Sequence, residues 1–428
     1  MNRFLINEMI VWKNSEKRKP LLIQGARQVG KTWIMKEFGK REFEQVVYLN
    51  FESSSRLRDL FTVDFNIERI ITVIEIETSQ KITPENTLLI FDEIQEAAKG
   101  LSALKYFYEQ APEYYLVSAG SLLGVSMQKN NSFPVGKVDF KQLYPMSFSE
   151  FLENLDHKNL VQQIQNKDWK VLDSFHEKLI ELLRLYYFIG GMPEVVANYI
   201  ENKNLETTRT LQKKLLIGYE NDFGKYAPNE IVPKIKLVWN FLISQLAKEN
   251  KKFIYGQIKN GARAKDFEAA INWLVDAGLV LKVNRIEKPT LPLNAYADYD
   301  AFKLFFIDIG LLNAVANLDQ KILLEKNAIL SEFKGALSEQ YVCQELTIHH
   351  QLFYWSSSNT AEIDFIIQNK NEVVPIEVKA EENLKSKSLK VFVEKFENQS
   401  AIRTSMSKFR KEDWLTNIPL YAINGIFK

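Results

Sequence analysis

Short apolar runs alternate with helical patterns through residues 1–146. Leu21–Gln24, Val46–Asn50, Leu88–Phe91, Tyr114–Ser118 and Val138–Leu143 read as strands, with Thr32–Lys40 and Ile67–Gln80 as helices between them. That rhythm predicts an α/β domain with a largely parallel sheet. From Ser147 the period becomes helical, and Ser147-Phe148-Ser149-Glu150 has the form of a capping box ahead of Phe151 and Leu152. Residues 147–230 are expected to form a helical lid or linker, interrupted by a turn at Gly190-Gly191-Met192-Pro193.

Residues 231–325 then present a helix, a short helix around Gly256–Asn260, a helix at Ala264–Ala277, and two strand-like runs, Leu279–Arg285 and Lys303–Asp308. Three helices before a hairpin predict a winged helix-turn-helix. In residues 326–428 a helix at Phe333–His349 precedes strands at Leu352–Trp355, Glu362–Gln368 and Val373–Lys379. The lysine-rich stretch Lys385–Lys395 reads as a solvated face. The fold class expected is therefore multidomain α/β.

Composition narrows the picture little. Of 428 residues, 46% are hydrophobic and 25% charged, ordinary for a globular protein with ample core. A net charge of +1 gives no bulk attraction to nucleic acid or membrane. The single cysteine, Cys343, fits a reducing compartment. No run approaches the ~20 apolar residues of a spanning helix, and the start of the chain lacks the apolar core of a signal peptide, so a cytoplasmic protein without membrane contact is expected.

The strongest chemical signal is Gly25-Ala26-Arg27-Gln28-Val29-Gly30-Lys31-Thr32, a complete G-x-x-x-x-G-K-[ST] loop. Its glycines let backbone N–H groups wrap phosphate oxygens, and the following helix, beginning near Trp33, adds its positive end. Lys31 is placed to reach the β- and γ-phosphates and Thr32 to ligate Mg²⁺. About sixty residues later, Leu88-Leu89-Ile90-Phe91-Asp92-Glu93 brings Asp92 toward the metal and Glu93 toward the attacking water. Ser118 or Ser121, around the end of the next strand, could sense the γ-phosphate. ATP and Mg²⁺ are the expected cofactors.

Those segments, with SAGSLLG, LYPMSFSEFL, GGMPEVV and DIGLL (Asp308–Leu312), occur in the order seen in a widespread prokaryotic family of AAA-type ATPases. Members of that family end in a region of unknown function. The resemblance covers nearly the whole chain and implies a five-stranded AAA-like sheet and ATP dependence. Family members often carry Gly-Arg before the last strand, where this chain has Gly136-Lys137. If that arginine acts as a finger in relatives, Lys137 supplies a point charge without the bidentate fork, and hydrolysis should be slow.

Asp364 and Glu377-Val378-Lys379, on two strands joined by a turn, resemble the core of the PD-(D/E)xK restriction-endonuclease-like fold. The resemblance implies that Asp364 and Glu377 bind Mg²⁺ and that Lys379 positions water, with Glu339 as an additional acid. Alternation of paired charges on a strand has the same appearance. Near the third helix of the expected winged helix, Lys259, Arg263 and Lys265 are basic, but Asp266, Glu268 and Asp276 are not, so DNA and protein contacts both remain open. Three functions follow as alternatives. One is an ATP-driven switch coupled to a nucleic-acid- or protein-interacting module, alone or as a homo-oligomer. The others are an ATP-regulated Mg-dependent nuclease and a nucleotide-gated protein adaptor.

Overall fold

In the computed structural model, two β-sheets organise the described residues of the chain. The structure describes residues 1–120, 134–246, 252–320, 331–357, 361–380, 386–397 and 401–427. Contacts divide it into one unit of residues 2–144 with 276–278, and a second built from residues 145–275 and 279–428.

In the first unit, α1 (Leu5–Lys13) precedes β1 (Leu21–Gln24), α2 (Lys31–Glu42) and β2 (Gln45–Asn50). The short α3 (Ser55–Arg58), α4 (Ile67–Thr78), β3 (Thr87–Asp92), α5 (Gly100–Gln110), β4 (Tyr115–Ala119) and β5 (Asp139–Gln142) follow. The five strands are parallel in the order β2-β3-β4-β1-β5. A parallel sheet covered on both faces needs strands apolar throughout, and β3 is buried at every position. α4 shows the complementary helical logic. Asn66 caps it by accepting from the Arg69 N–H at 2.9 Å, and Ile67, Ile70, Ile71 and Ile74 make one buried stripe. Phe91 on β3 packs edge-on against Phe51 and Phe107, with ring centroids 5.4 and 5.7 Å away.

The second unit opens with helices. The capping box forms as its residues require: the Ser147 side chain accepts from the Glu150 N–H, and the Glu150 carboxylate accepts from the Ser147 N–H. The helix His176–Ile189 ends at Gly190, whose φ of 76° suits glycine, and the next begins at Pro193. A mixed sheet of eight strands closes the unit: β6 (Val280–Ile286), β7 (Ala297–Phe306), β8 (Phe353–Ser356), β9 (Glu362–Asn369), β10 (Glu372–Val378), β11 (Ala401–Ser405), β12 (Arg410–Lys411) and β13 (Leu415–Pro419). Their order is β12-β13-β11-β10-β9-β8-β6-β7. The hairpin β6–β7, expected as a separate wing, is thus part of this sheet, because β6 pairs in parallel with β8 at Asn284↔Phe353 and Arg285↔Tyr354. Both β6 and β8 present buried apolar residues, so hydrogen-bonding them edge to edge removes two exposed sheet edges. The lysine-rich stretch includes the helix Lys387–Phe396, which turns Leu389 and Phe392 inward and leaves its lysines outside.

Several motifs that carry no evident chemistry meet in a buried polar network in this unit. Met146 N–H donates to Gly191 O at 2.7 Å, and Gly191 N–H donates to Asp308 Oδ2 at 2.6 Å. Asp308 Oδ1 also accepts from Leu311 N–H at 2.9 Å, capping the helix Ile309–Val315. A Cβ on Gly191 would stand 2.1 Å from Met146 O, which explains the glycine. Burial pushes the Asp308 carboxyl up to about 6 against the opposing pull of the N–H groups of Gly191, Leu311 and Gly310. The folded protein therefore binds this proton more readily than the unfolded chain, where the value is roughly 3.9. Stability should fall as pH rises from about 4 to about 6 and level off above. Asp308→Asn removes that slope, so the parent's denaturant midpoint should fall relative to the variant's as pH rises through the window. A difference independent of pH would show that Asp308 is ionised throughout.

Candidate nucleotide site

The C-terminal ends of β1 and β3 deliver the loop and the acids to the same end of the parallel sheet. Between β1 and α2, Gly25 lies so close to Leu143 that a Cβ would stand 2.2 Å from its carbonyl oxygen. Gln28 and Gly30 take left-handed backbone conformations, with φ of 65° and 93°. Val29 is fully buried and anchors the loop, while Trp33 is half-buried on the first turn of α2.

Lys31 is 6% exposed, and its ammonium donates to Gly25 O at 2.8 Å and Ala26 O at 2.7 Å. Burial lowers it to about 8, although Glu93 and Asp92 favour its charged form. A buried ammonium held by loop carbonyls beside a glycine-built cradle has the chemistry of an anion site, and phosphate would restore the charge balance that burial removes. The Thr32 hydroxyl donates to Asp92 Oδ2 at 2.6 Å. Hydroxyl and carboxylate are hard oxygen donors of the kind Mg²⁺ selects. The residues present thus fit a nucleotide and its metal: Gly25, Gln28, Val29, Gly30, Lys31, Thr32 and Trp33 for the first, Thr32 and Asp92 for the second.

Glu93 leaves the strand with φ 51° and ψ 46°, a left-handed conformation that costs a non-glycine residue free energy. Its carboxylate accepts from Gln95 Nε2 at 2.5 Å. Ser118 is fully buried, and its hydroxyl donates back to Leu21 O at 3.2 Å, within the sheet. Ser121 lies outside the described residues.

Lys137 is not brought to this end. It precedes β5, whose first residue, Asp139, pairs with Leu21 at the start of β1. The phosphate loop follows the other end of β1, one strand length of roughly 13 Å away. Lys137 instead pairs with Glu109 at 2.9 Å, and its ammonium lies 5.5 Å from the centroid of the Tyr108 ring.

Two residues that the motifs do not include join the site. The Tyr48 hydroxyl donates to Asp92 Oδ2 at 2.9 Å, and Asn50 Nδ2 donates to the Tyr48 oxygen at 3.3 Å. Burial pushes the Tyr48 phenol up to about 12. The available signal was strand period: Tyr48 and Asn50 share the face of β2 opposite the core residues Val47 and Leu49.

In the second unit, Asp364, Glu377, Lys379 and Glu339 gather around β9, β10 and the helix Ser331–Thr347, but lysines enter the cluster. Glu377 pairs with Lys379 at 2.9 Å. Asp364 accepts from Val378 N–H at 2.8 Å. Lys303 on β7, 1% exposed, pairs with Glu362 and stands 3.9 Å from Glu339. Burial opposes the charge on Lys303, but Glu362, Glu339 and Asp364 outweigh it and hold the ammonium well above the usual lysine range. Among the described residues, no group of three or more His, Cys, Asp or Glu has the arrangement of a metal site. Lys303 was read only as the start of a strand, because its partners lie 36 and 59 residues further along.

Residues 17–152 match the family model of an AAA domain. Residues 180–322 and 334–423 match two models, each described as a domain of unknown function. None of the curated proteins matches the chain. Among solved structures, a Walker-type ATPase of Pyrococcus abyssi is similar at 13% identity, over 74% of this chain and 95% of that one, with a TM-score of 0.44. The Orc1 protein of Aeropyrum pernix, solved in complex with DNA, is similar at 12% identity over 73% and 90%, with a TM-score of 0.29. Cdc6p from Pyrobaculum aerophilum is similar at 12% over 75% and 94%, with a TM-score of 0.27. No helix among the described residues is long and apolar enough to cross a membrane.

Proposed function

We propose, for a chain that carries an AAA-type P-loop ATPase domain followed by a region of unknown function, that ATP binding and hydrolysis in residues 1–146 switch the state of a partner-binding module in residues 147–428. The observation that carries this reading is the buried Lys31 ammonium in the glycine loop, next to the 2.6 Å contact between Thr32 and Asp92. Gly25, Gln28, Val29, Gly30, Lys31 and Trp33 hold the nucleotide; Thr32 and Asp92 hold its Mg²⁺. Mg²⁺ held by Thr32 and Asp92 would supply neutralisation of the charge developing on the phosphates. Glu93, kept beside Asp92 and steadied by Gln95, takes the proton of the attacking water. Ser121 retains the role of phosphate sensor in this reading, since the hydroxyl of Ser118 is turned into the sheet.

Lys137 acts here as a surface partner of Glu109 and plays no part in hydrolysis within its own subunit. In the second unit the buried Lys303 faces Glu339, Glu362 and Asp364, a fixed cation among the acids a nuclease would give to its metal, which supports a binding module over a nuclease. Removing Lys303 would strand the carboxylates it faces, the loss expected when one partner of a buried pair is taken away. Incubation with ATP, Mg²⁺ and supercoiled plasmid tests the reading. Phosphate should be released while the plasmid stays intact, with Mn²⁺ as with Mg²⁺. Metal-dependent nicking would restore the nuclease alternative.

A further inference from the structure

Tyr48 lies outside the phosphate loop and outside the acidic strand, yet its hydroxyl reaches the same carboxylate oxygen as Thr32. Asp92 Oδ2 accepts from Thr32 Oγ1 at 2.6 Å and from Tyr48 Oη at 2.9 Å. On the sheet, Tyr48 pairs with Ile90, and Asn50 is the residue directly opposite Asp92. The phenol must therefore reach two residues along the neighbouring strand, a diagonal that long aromatic side chains can span.

Two further contacts fix the ring. Lys36, one helical turn after Thr32 on α2, places its ammonium 3.6 Å from the ring centroid. Asn50 Nδ2 donates to the phenol oxygen, whose own proton is then directed to Asp92. Packing alone would be served equally well by phenylalanine. Asp92 Oδ1 accepts from the Glu93 N–H at a long 3.2 Å, and the Tyr48 hydroxyl adds a second donor on Oδ2, restraining a carboxylate torsion that is intrinsically broad.

We propose that Tyr48 is a positioning residue that holds the Asp92 carboxylate in the orientation needed for magnesium. The inference rests on the reading of the P-loop as a nucleotide site. Tyr48 acts through Asp92 and touches neither nucleotide nor metal. Residues that orient a metal ligand typically contribute 10- to 100-fold in metal affinity. Because this tyrosine shares its acceptor with Thr32, the low end of that range, about 10-fold, is expected.

The test is a Mn²⁺ titration of full-length protein saturated with a non-hydrolysable ATP analogue, reading free Mn²⁺ by electron paramagnetic resonance. Tyr48→Phe should weaken Mn²⁺ binding about 10-fold and leave analogue affinity in EDTA unchanged. Lys36→Met, which keeps the hydroxyl and loosens only the ring, should give a smaller shift in the same direction. Unchanged Mn²⁺ affinity in Tyr48→Phe would overturn the proposal. So would an equal loss of Mn²⁺ affinity and of analogue affinity in EDTA, since that is the signature of a packing role. Lys31→Ala is the control for the underlying reading: analogue binding retained by that variant would discard the nucleotide site itself, whatever Tyr48→Phe shows.

Discussion

Glu93→Gln binds ATP as the parent protein does and releases phosphate about 10²–10⁴-fold more slowly, the usual loss when a general base is removed. The amide has the shape of the carboxylate but cannot accept a proton from water. Asp92 and Thr32, which hold the metal in this account, are untouched by the change, so nucleotide affinity is preserved. The neighbouring Gln95 amide now donates to a neutral carbonyl oxygen, a modest change in a contact of 2.5 Å. Single-turnover phosphate release, measured beside equilibrium binding of a fluorescent ATP analogue, separates the two effects. Undiminished release would mean that another residue polarises the water.

Lys31→Ala should lose ATP affinity by on the order of 10²-fold or more. Hydrogen bonds to charged groups contribute about 1.5–3 kcal/mol each, and an ammonium between two phosphates makes more than one of them. The loop itself should persist, because Gly25 is wedged against Leu143 and Val29 is fully buried. Lys31→Met keeps much of the stem and removes only the charge, so it should bind ATP as poorly as the alanine variant. Titration with the same fluorescent analogue checks both. Near-parental binding by either variant would sink the phosphate-loop assignment.

Much of the first unit was legible because its signals are local. β1 matches its expected limits, and the other four strands fall within one residue of theirs at each end. Asp92 reached Thr32 as the loop spacing and the apolar run Leu88–Phe91 require. What stayed hidden depends on which strands become neighbours. Tyr48 reads as one more strand aromatic until β2 is placed beside β3. Lys137 looked suited to phosphate because it stands where the resembling family often carries Gly-Arg, but parallel pairing of β5 with β1 puts the start of β5 at the far end of the sheet from the loop. In the second unit, β11, β12 and β13 were missed, since Ala401–Ser405 and Leu415–Pro419 are short and interrupted by polar residues that the fold buries, such as Arg403 and Asn417. Arg403 Nε donates to Asn417 Oδ1 at 3.0 Å, a pairing that no period reveals. Lys303 was overlooked for the same reason: the chain order separates it from Glu339 and Glu362, and only the finished sheet joins them.

The claim that nucleotide in the first unit switches the second is tested most directly by hydrogen exchange on the Glu93→Gln protein, which holds ATP without consuming it. Amides across residues 145–428 should change their exchange rates between the nucleotide-free and ATP·Mg²⁺ states, in addition to the protection expected at the loop and at Asp92. Changes confined to residues 2–144 would contradict the account and leave an ATP-binding domain with no hold on the region that follows it.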